Sequence, residues 1–169
     1  MTAGKYEREL LKILSGKKKT LVEVTKSCSG VEKENYFKIS ENPFAVVRAA
    51  GSLGVDLVAI RGDISFLTEV KTSLKDTLHF SSNSGKLQRQ AESMLDICKI
   101  TKTLPVYAFR LKGYRGDSWR FFTINFSNLE GRIKILHRRL PNLEESKNGN
   151  FVMRWKEGMP LSEFISYIS

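Results

Sequence analysis

Residues 54–72, GVDLVAIRGDISFLTEVKT, constrain this chain more than any other stretch. They read as two short strands, 55–60 and 64–70, joined at Arg61-Gly62-Asp63. Both strands are largely apolar, and Gly62 is free to take the positive φ of a tight reversal. Residues two apart in a strand share a face, so Glu69 and Lys71 point one way and Val70 the other. A hairpin also sets the start of its first strand beside the end of its second. Asp56 is thereby brought to Glu69 and Lys71, and two acids and a lysine meet at one end of an apolar hairpin.

Two readings of that meeting are open. Adjacent carboxylates repel and raise one another's pKa unless a cation lies between them. Mg²⁺ suits the gap, because it takes oxygen ligands, few of them from protein, and keeps positions for water and a phosphate oxygen. Such an ion would lower the pKa of its water and neutralise phosphate charge. Lys71 would orient the attacking water or stabilise the pentacoordinate phosphate. The plainer reading is a surface hairpin whose Glu69 and Lys71 form an exposed pair worth about 0.2–1 kcal/mol.

The rest of the chain narrows the classes. Its 169 residues fit one domain with a proper core, and 41% hydrophobic with 27% charged residues argues against disorder. With 28 Lys+Arg against 18 Asp+Glu the net charge is +10, which favours an anionic partner, foremost nucleic acid. No run of about twenty apolar residues predicts a membrane span, and the first five residues lack the apolar core of a signal peptide. Cys28 and Cys98 have no metal or redox spacing and fit a reducing interior; His79 and His137 are isolated. The expected setting is intracellular, cytoplasmic and nucleoid-associated.

Periodicity supplies the elements. Residues 5–14 read as a helix with Tyr6, Leu10, Ile13 and Leu14 on one face; residues 86–99 form the clearest helix, striped by Leu87, Ala91, Met94, Leu95 and Cys98. Gln90 lies beside that stripe, within reach of the acidic hairpin. Strands are expected at 44–47, 106–111 and 118–124, an edge strand at 151–155 and a final helix at 160–168. Residues 17–42 read as a surface excursion, with a strand at 20–24, a loop at 25–35 and a return strand at 36–39. Lys17, Lys18 and Lys19 open it, either as a solvated loop or as phosphate contacts. Between the early strands, Arg48 and Ser52 flank a run of small residues and suit phosphate oxygens. Residues 73–85 read as a long polar connection and 143–149 as a loop. Helices before and after the hairpin make the arrangement α/β.

Taken together, YERELLKIL, FAVVRAAGS, VDLVAI, EVKT, VYAFRL, WRFF and the tail FVMRW to LSEFI resemble the archaeal Holliday-junction resolvase family of the PD-(D/E)xK nuclease superfamily. The resemblance implies a restriction-endonuclease-like core: a mixed central β-sheet flanked by helices, in one nuclease domain over residues 1–169. The excursion near 17–40 and the segment near 128–150 would be additions atypical of the family. Asp56 and Glu69 match its metal-binding carboxylates, Lys71 its motif lysine, and Glu7 the helix glutamate that completes the acidic site through a metal-bound water. The ion, Mg²⁺ with Mn²⁺ as substitute, would be held by Asp56, Glu69 and the Val70 carbonyl, with Glu7 behind. Arg8, Arg48 and Ser52 match residues for DNA contact or cleavage, and Gln90 falls near a helix glutamine of some relatives. Val55 stands where many superfamily members have proline. The resemblance implies a homodimer that nicks two strands of a four-way junction. Flap, fork or duplex cleavage, and a non-catalytic protein that binds branched DNA, are the alternatives.

Overall fold

The computed structural model describes residues 4–80 and 85–169. Residues 81–84, part of the polar connection expected at 73–85, lie outside the described residues, as do residues 1–3 of the N-terminal stretch.

Helix α1 (Lys5–Leu14) buries Leu10, Ile13 and Leu14, the face its periodicity predicts. Helix α2 (Lys18–Val24) and helix α3 (Gly30–Phe37) follow, with a short 3₁₀ turn at Lys38–Ser40. The strand expected at 20–24 and the return strand at 36–39 are therefore helical, and the loop expected at 25–35 is a turn only over 25–29, before α3 begins. Strand β1 (Ala45–Arg48), β2 (Leu57–Ile60) and β3 (Phe66–Ser73) come next, then β4 (Thr77–His79) and helix α4 (Lys86–Thr101). Strands β5 (Leu104–Leu111) and β6 (Trp119–Phe122) precede helix α5 (Gly131–Arg139). Strands β7 (Glu144–Glu145), β8 (Phe151–Arg154) and β9 (Met159–Pro160) lead into helix α6 (Leu161–Ile168).

Six strands form one mixed sheet in the order β1-β2-β3-β5-β6-β9, flanked by helices. Among the described strands of this sheet only β3 and β5 pair in parallel, with α4 in their crossover. A smaller sheet, β4-β8-β7, places β8 in the middle, so the segment expected as an edge strand is central in its own sheet. The connection at 73–85 and the loop at 143–149 each contribute a strand to it, β4 and β7.

The hairpin turn differs from expectation. Ala59 pairs with Phe66, the connection is longer than a tight reversal, and Gly62 does not take positive φ. Arg61 organises it instead: its Nε reaches Asp63 at 2.6 Å and its Nη2 the Ile168 carbonyl at 2.7 Å.

Each face of the large sheet carries its own core. Leu57, Ala59, Phe66, Val106, Ala108 and Phe121 pack against α1, α3 and α6 through Leu10, Ile13, Tyr36 and Phe164. Leu67, Tyr107, Phe109 and Phe122 pack on the other side against Ala91, Met94 and Cys98 of α4 and Phe151 and Met153 of β8. Strand alternation sends neighbouring residues of β3 to these two cores in turn. That places Glu69 and Lys71 on the α4 face, and leaves Arg48, which pairs with Leu57, on the α1 face.

Candidate active site

Asp56 stands at the entry to β2, its N–H bonded to the Thr68 carbonyl at 3.0 Å and its carbonyl accepting from Ala49 N–H at 2.8 Å. Its Oδ2 accepts the Val70 N–H at 2.8 Å. That bond turns the carboxylate across the open end of β3, beside Glu69. Lys71 Nζ donates to Glu69 Oε1 at 2.8 Å. The hairpin logic therefore holds for all three residues, although the turn joining the strands is not the expected one.

Glu69 is only 4% exposed. Its second oxygen, Oε2, is buried and has no hydrogen-bond partner among the described residues. Burial raises the Glu69 carboxyl pKa; Lys71 opposes the shift and Asp56 adds to it. Burial likewise raises Asp56, against the Val70 N–H, and the charge of Glu7 raises it further. Tyr107, paired with Glu69 across the parallel ladder and 1% exposed, shares this site. Burial and then the two carboxylates push its phenol upwards. Packed at 5.4 Å on Phe80, Tyr107 puts aromatic surface where water would otherwise solvate the acids. The sequence hid this role, because Tyr107 sits in an apolar strand and reads as ordinary core.

Glu7 takes a different position. Arg48 Nη2 and Nε donate to Glu7 Oε2 at 2.8 and 3.2 Å, which draws this carboxylate to the α1 face of the sheet end. Its charge still reaches Asp56. Among the described residues no three His, Cys, Asp or Glu side chains converge as a preformed metal cage. The donors nonetheless fit one hard divalent ion. Mg²⁺ needs only one or two protein carboxylates, and the unbonded Glu69 Oε2 beside the raised Asp56 is an oxygen donor that suits such an ion. Val70 lies between Glu69 and Lys71 in sequence, with its N–H committed to Asp56.

The loop between β1 and β2 carries Ser52, which is exposed. Ala50 at φ 49° and Leu53 at φ 60° are left-handed residues with side chains, flanking Gly51 at 84°; Gly54 follows at 67°. Non-glycine residues held there cost about 1–3 kcal/mol each and collect at functional sites. The 52–54 turn packs on α4, the helix that carries half-buried Gln90. Arg8 is exposed on α1 and lines a separate cleft with Lys5, Lys12 and Arg110. Lys17, Lys18 and Lys19 are exposed at the other end of α1. There the Leu14 carbonyl meets Phe44 N–H at the start of β1, whereas Arg48 at the end of β1 meets Glu7. The lysine run thus lies a helix length from the acids, about 15 Å along ten residues.

The model of the family described as archaeal Holliday junction resolvase (Hjc) matches residues 23–168. The chain belongs to that family. It is therefore a nuclease of DNA recombination and repair. The structure of Archaeoglobus fulgidus Hjc, described as a Holliday junction resolvase from an archaeal hyperthermophile, has the same fold: TM-score 0.50 and 22% identity, covering 72% of this chain and 81% of that one. Comparison with curated proteins gives no match. The matched span includes Arg48, Ser52, Asp56, Glu69, Lys71 and Gln90; Glu7, Arg8 and the lysine run precede it. No described helix is long and apolar enough to cross a membrane.

Proposed function

We propose that this resolvase-family chain is a divalent-metal-dependent endonuclease that, as a homodimer, hydrolyses paired phosphodiesters in four-way DNA junctions. The observation that carries the reading is the Asp56–Glu69 pair: a half-buried and a buried carboxylate, the latter with an oxygen left unbonded, beside Lys71. A purely architectural DNA-binding protein has no use for acids that face phosphate and raise each other's proton affinity.

Asp56, Glu69 and the Val70 carbonyl would hold Mg²⁺, or Mn²⁺ in its place, with Glu7 joining from α1. Bound there, the ion would supply Lewis acidity towards the phosphate and lower the pKa of attacking water. The chain's own groups do the rest. The Val70 N–H fixes the carboxylate plane of Asp56. Lys71, 17% exposed at its side chain, is held by Glu69 at a point where it can orient a water or neutralise the reacting phosphate. Arg48 offers a planar fork at the mouth of the site, and its present partner Glu7 is a carboxylate that a phosphate can replace. Ser52 and Gln90 line the approach from the strained loop and from α4. Tyr107 and Phe80 limit water below the acids, which strengthens every charge interaction above them.

The test is cleavage of end-labelled four-way junction, flap and plain duplex, with Mg²⁺ or with EDTA, by wild type and Glu69→Gln. Paired symmetric nicks in the junction, absent in EDTA and in the variant, are expected. Equal rates on flap or duplex would keep the nuclease and discard junction selectivity. Binding without cleavage under several divalent metals would leave an architectural protein.

A further inference from the structure

We propose that the cleft between α1, α2 and β5 is a second DNA-backbone site, which seats a phosphate run of an arm that is not being cut. This rests on the branched-DNA reading above and, Arg8 apart, concerns residues that reading does not use. The cleft holds about 340 Å³ and is lined by Lys5, Arg8, Glu9 and Lys12 of α1, Thr20 and Glu23 of α2, and Arg110 of β5.

Four cations face two acids there, and one of the acids is already committed. Glu9 Oε1 accepts from Arg110 Nε at 2.8 Å and from Trp119 Nε1 at 2.9 Å. Trp119 is fully buried, so Glu9 is anchored to the core and Arg110 is anchored to Glu9. The Arg110 guanidinium also lies 4.6 Å from the Tyr6 ring centre, with Lys5 at 5.4 Å and Lys112 at 5.8 Å from the same ring. Arg110 is therefore preorganised, and its terminal nitrogens remain available for a planar anion. The side chains of Arg8 and Lys12 are exposed and make no hydrogen bond or ion pair among the described residues.

Spacing and position select the ligand. Lys5, Arg8 and Lys12 recur at i, i+3 and i+7, so they form one row along α1. The row is about 10 Å long, the axial length of about three nucleotides of one duplex strand. Arg110 pairs with Thr72, the residue after Lys71, so the Arg110 end of the cleft lies at the same end of the sheet as the acids but on its opposite face. One duplex arm cannot lie on both faces; a branched molecule divides there. An isolated phosphate would need one or two donors, whereas a row of cations fits a polyanion that tracks the helix.

The experiment is junction binding in Ca²⁺ or EDTA, so that it does not depend on cleavage, measured across a salt series. Lys5→Gln/Lys12→Gln removes two cations at exposed helix positions. Lys33→Gln/Lys156→Gln removes the same charge from exposed positions elsewhere. The cleft pair should weaken binding about tenfold and shallow the log Kd–log salt slope by about 1.8, or 0.9 per lost contact. The control pair should leave the slope within error of wild type. Equal effects of both pairs would mean general charge attraction and overturn the site; so would no effect of the cleft pair. Wild type that binds junctions in a cleft-dependent way but never cuts them would remove the nuclease reading and keep this site.

Discussion

Glu69 sits where its own charge is disfavoured. Burial is the largest cause, and Asp56 adds to it beyond what the Lys71 contact returns. Its carboxyl pKa in the folded chain lies above the ordinary value of 4.5. The folded state therefore holds the proton more tightly than the unfolded state does. The resulting penalty is absent below about pH 4, grows as pH rises through the raised value, and is complete above it. Glu69→Gln should consequently stabilise the metal-free protein at neutral pH. Its amide oxygen can still accept from Lys71, and its amide nitrogen can donate to Asp56. A gain of about 1 kcal/mol would raise Tm by about 2–4 °C and vanish near pH 4. Thermal melts at pH 7 and pH 4 read it, and a neutral-pH Tm below wild type would refute the account. The same residues make a prediction for metal. Both carboxyls are raised, so a divalent ion must displace protons at a higher pH than exposed acids would require. Mn²⁺ affinity, followed by calorimetry, should fall by about tenfold per pH unit per displaced proton once pH drops below the raised values. Affinity flat down to pH 4.5 would remove these acids as ligands.

At the scale of elements, legibility followed burial. Helices α1 and α4 were readable because each buries a continuous stripe, and β5 because it is apolar along most of its length. Helix α2 was not, because it buries only Leu21 and carries Thr20, Val22 and Val24, β-branched residues that also suit a strand. Helix α3 buries only Tyr36, yet its start was signalled by Ser29-x-x-Glu32. Ser29 accepts the Glu32 N–H at 3.2 Å and Glu32 accepts the Ser29 N–H at 2.8 Å, a reciprocal cap visible in sequence. The acidic hairpin was legible because alternation and strand pairing alone bring Asp56 to Glu69. The Glu7–Arg48 pairing was not, since it depends on how α1 crosses the sheet. Nor was the link that ties the helical excursion to the nuclease core. Asp117, 1% exposed, accepts Tyr36 Oη at 2.6 Å through Oδ1 and Ser162 N–H at 2.9 Å through Oδ2. It thus joins α3 to the first turn of α6, where the helix dipole favours a carboxylate. Asp117→Ala leaves both donors unpaired in the core and should cost about 3–5 kcal/mol; Tyr36→Phe, losing one bond, should cost about 1–2 kcal/mol. Urea unfolding measures both, and an Asp117→Ala midpoint equal to wild type would show that the link carries no stability.

For the whole molecule, one acidic site can nick only one strand at a time. The chain has a single Asp56–Glu69 pair, and a net charge of +10 that favours DNA as a polyanion. Attraction of this kind supplies affinity without choosing a strand. Resolution of a four-way junction needs two cuts placed symmetrically about the branch, and a two-fold dimer presents two identical sites in that relation. The proposed coupling therefore predicts a particular failure when one site is dead. Mixed dimers of wild type and Glu69→Gln should bind a plasmid-borne cruciform as wild type does, because the substitution removes a negative charge and no cation. They should release nicked circles, whereas wild-type dimers release linear product and Glu69→Gln dimers release neither. The assay is agarose separation of the three plasmid forms after a single turnover. Linear product from mixed dimers at the wild-type yield would mean that one site cuts both strands in succession, and the paired mechanism would have to be given up even though the nuclease remained.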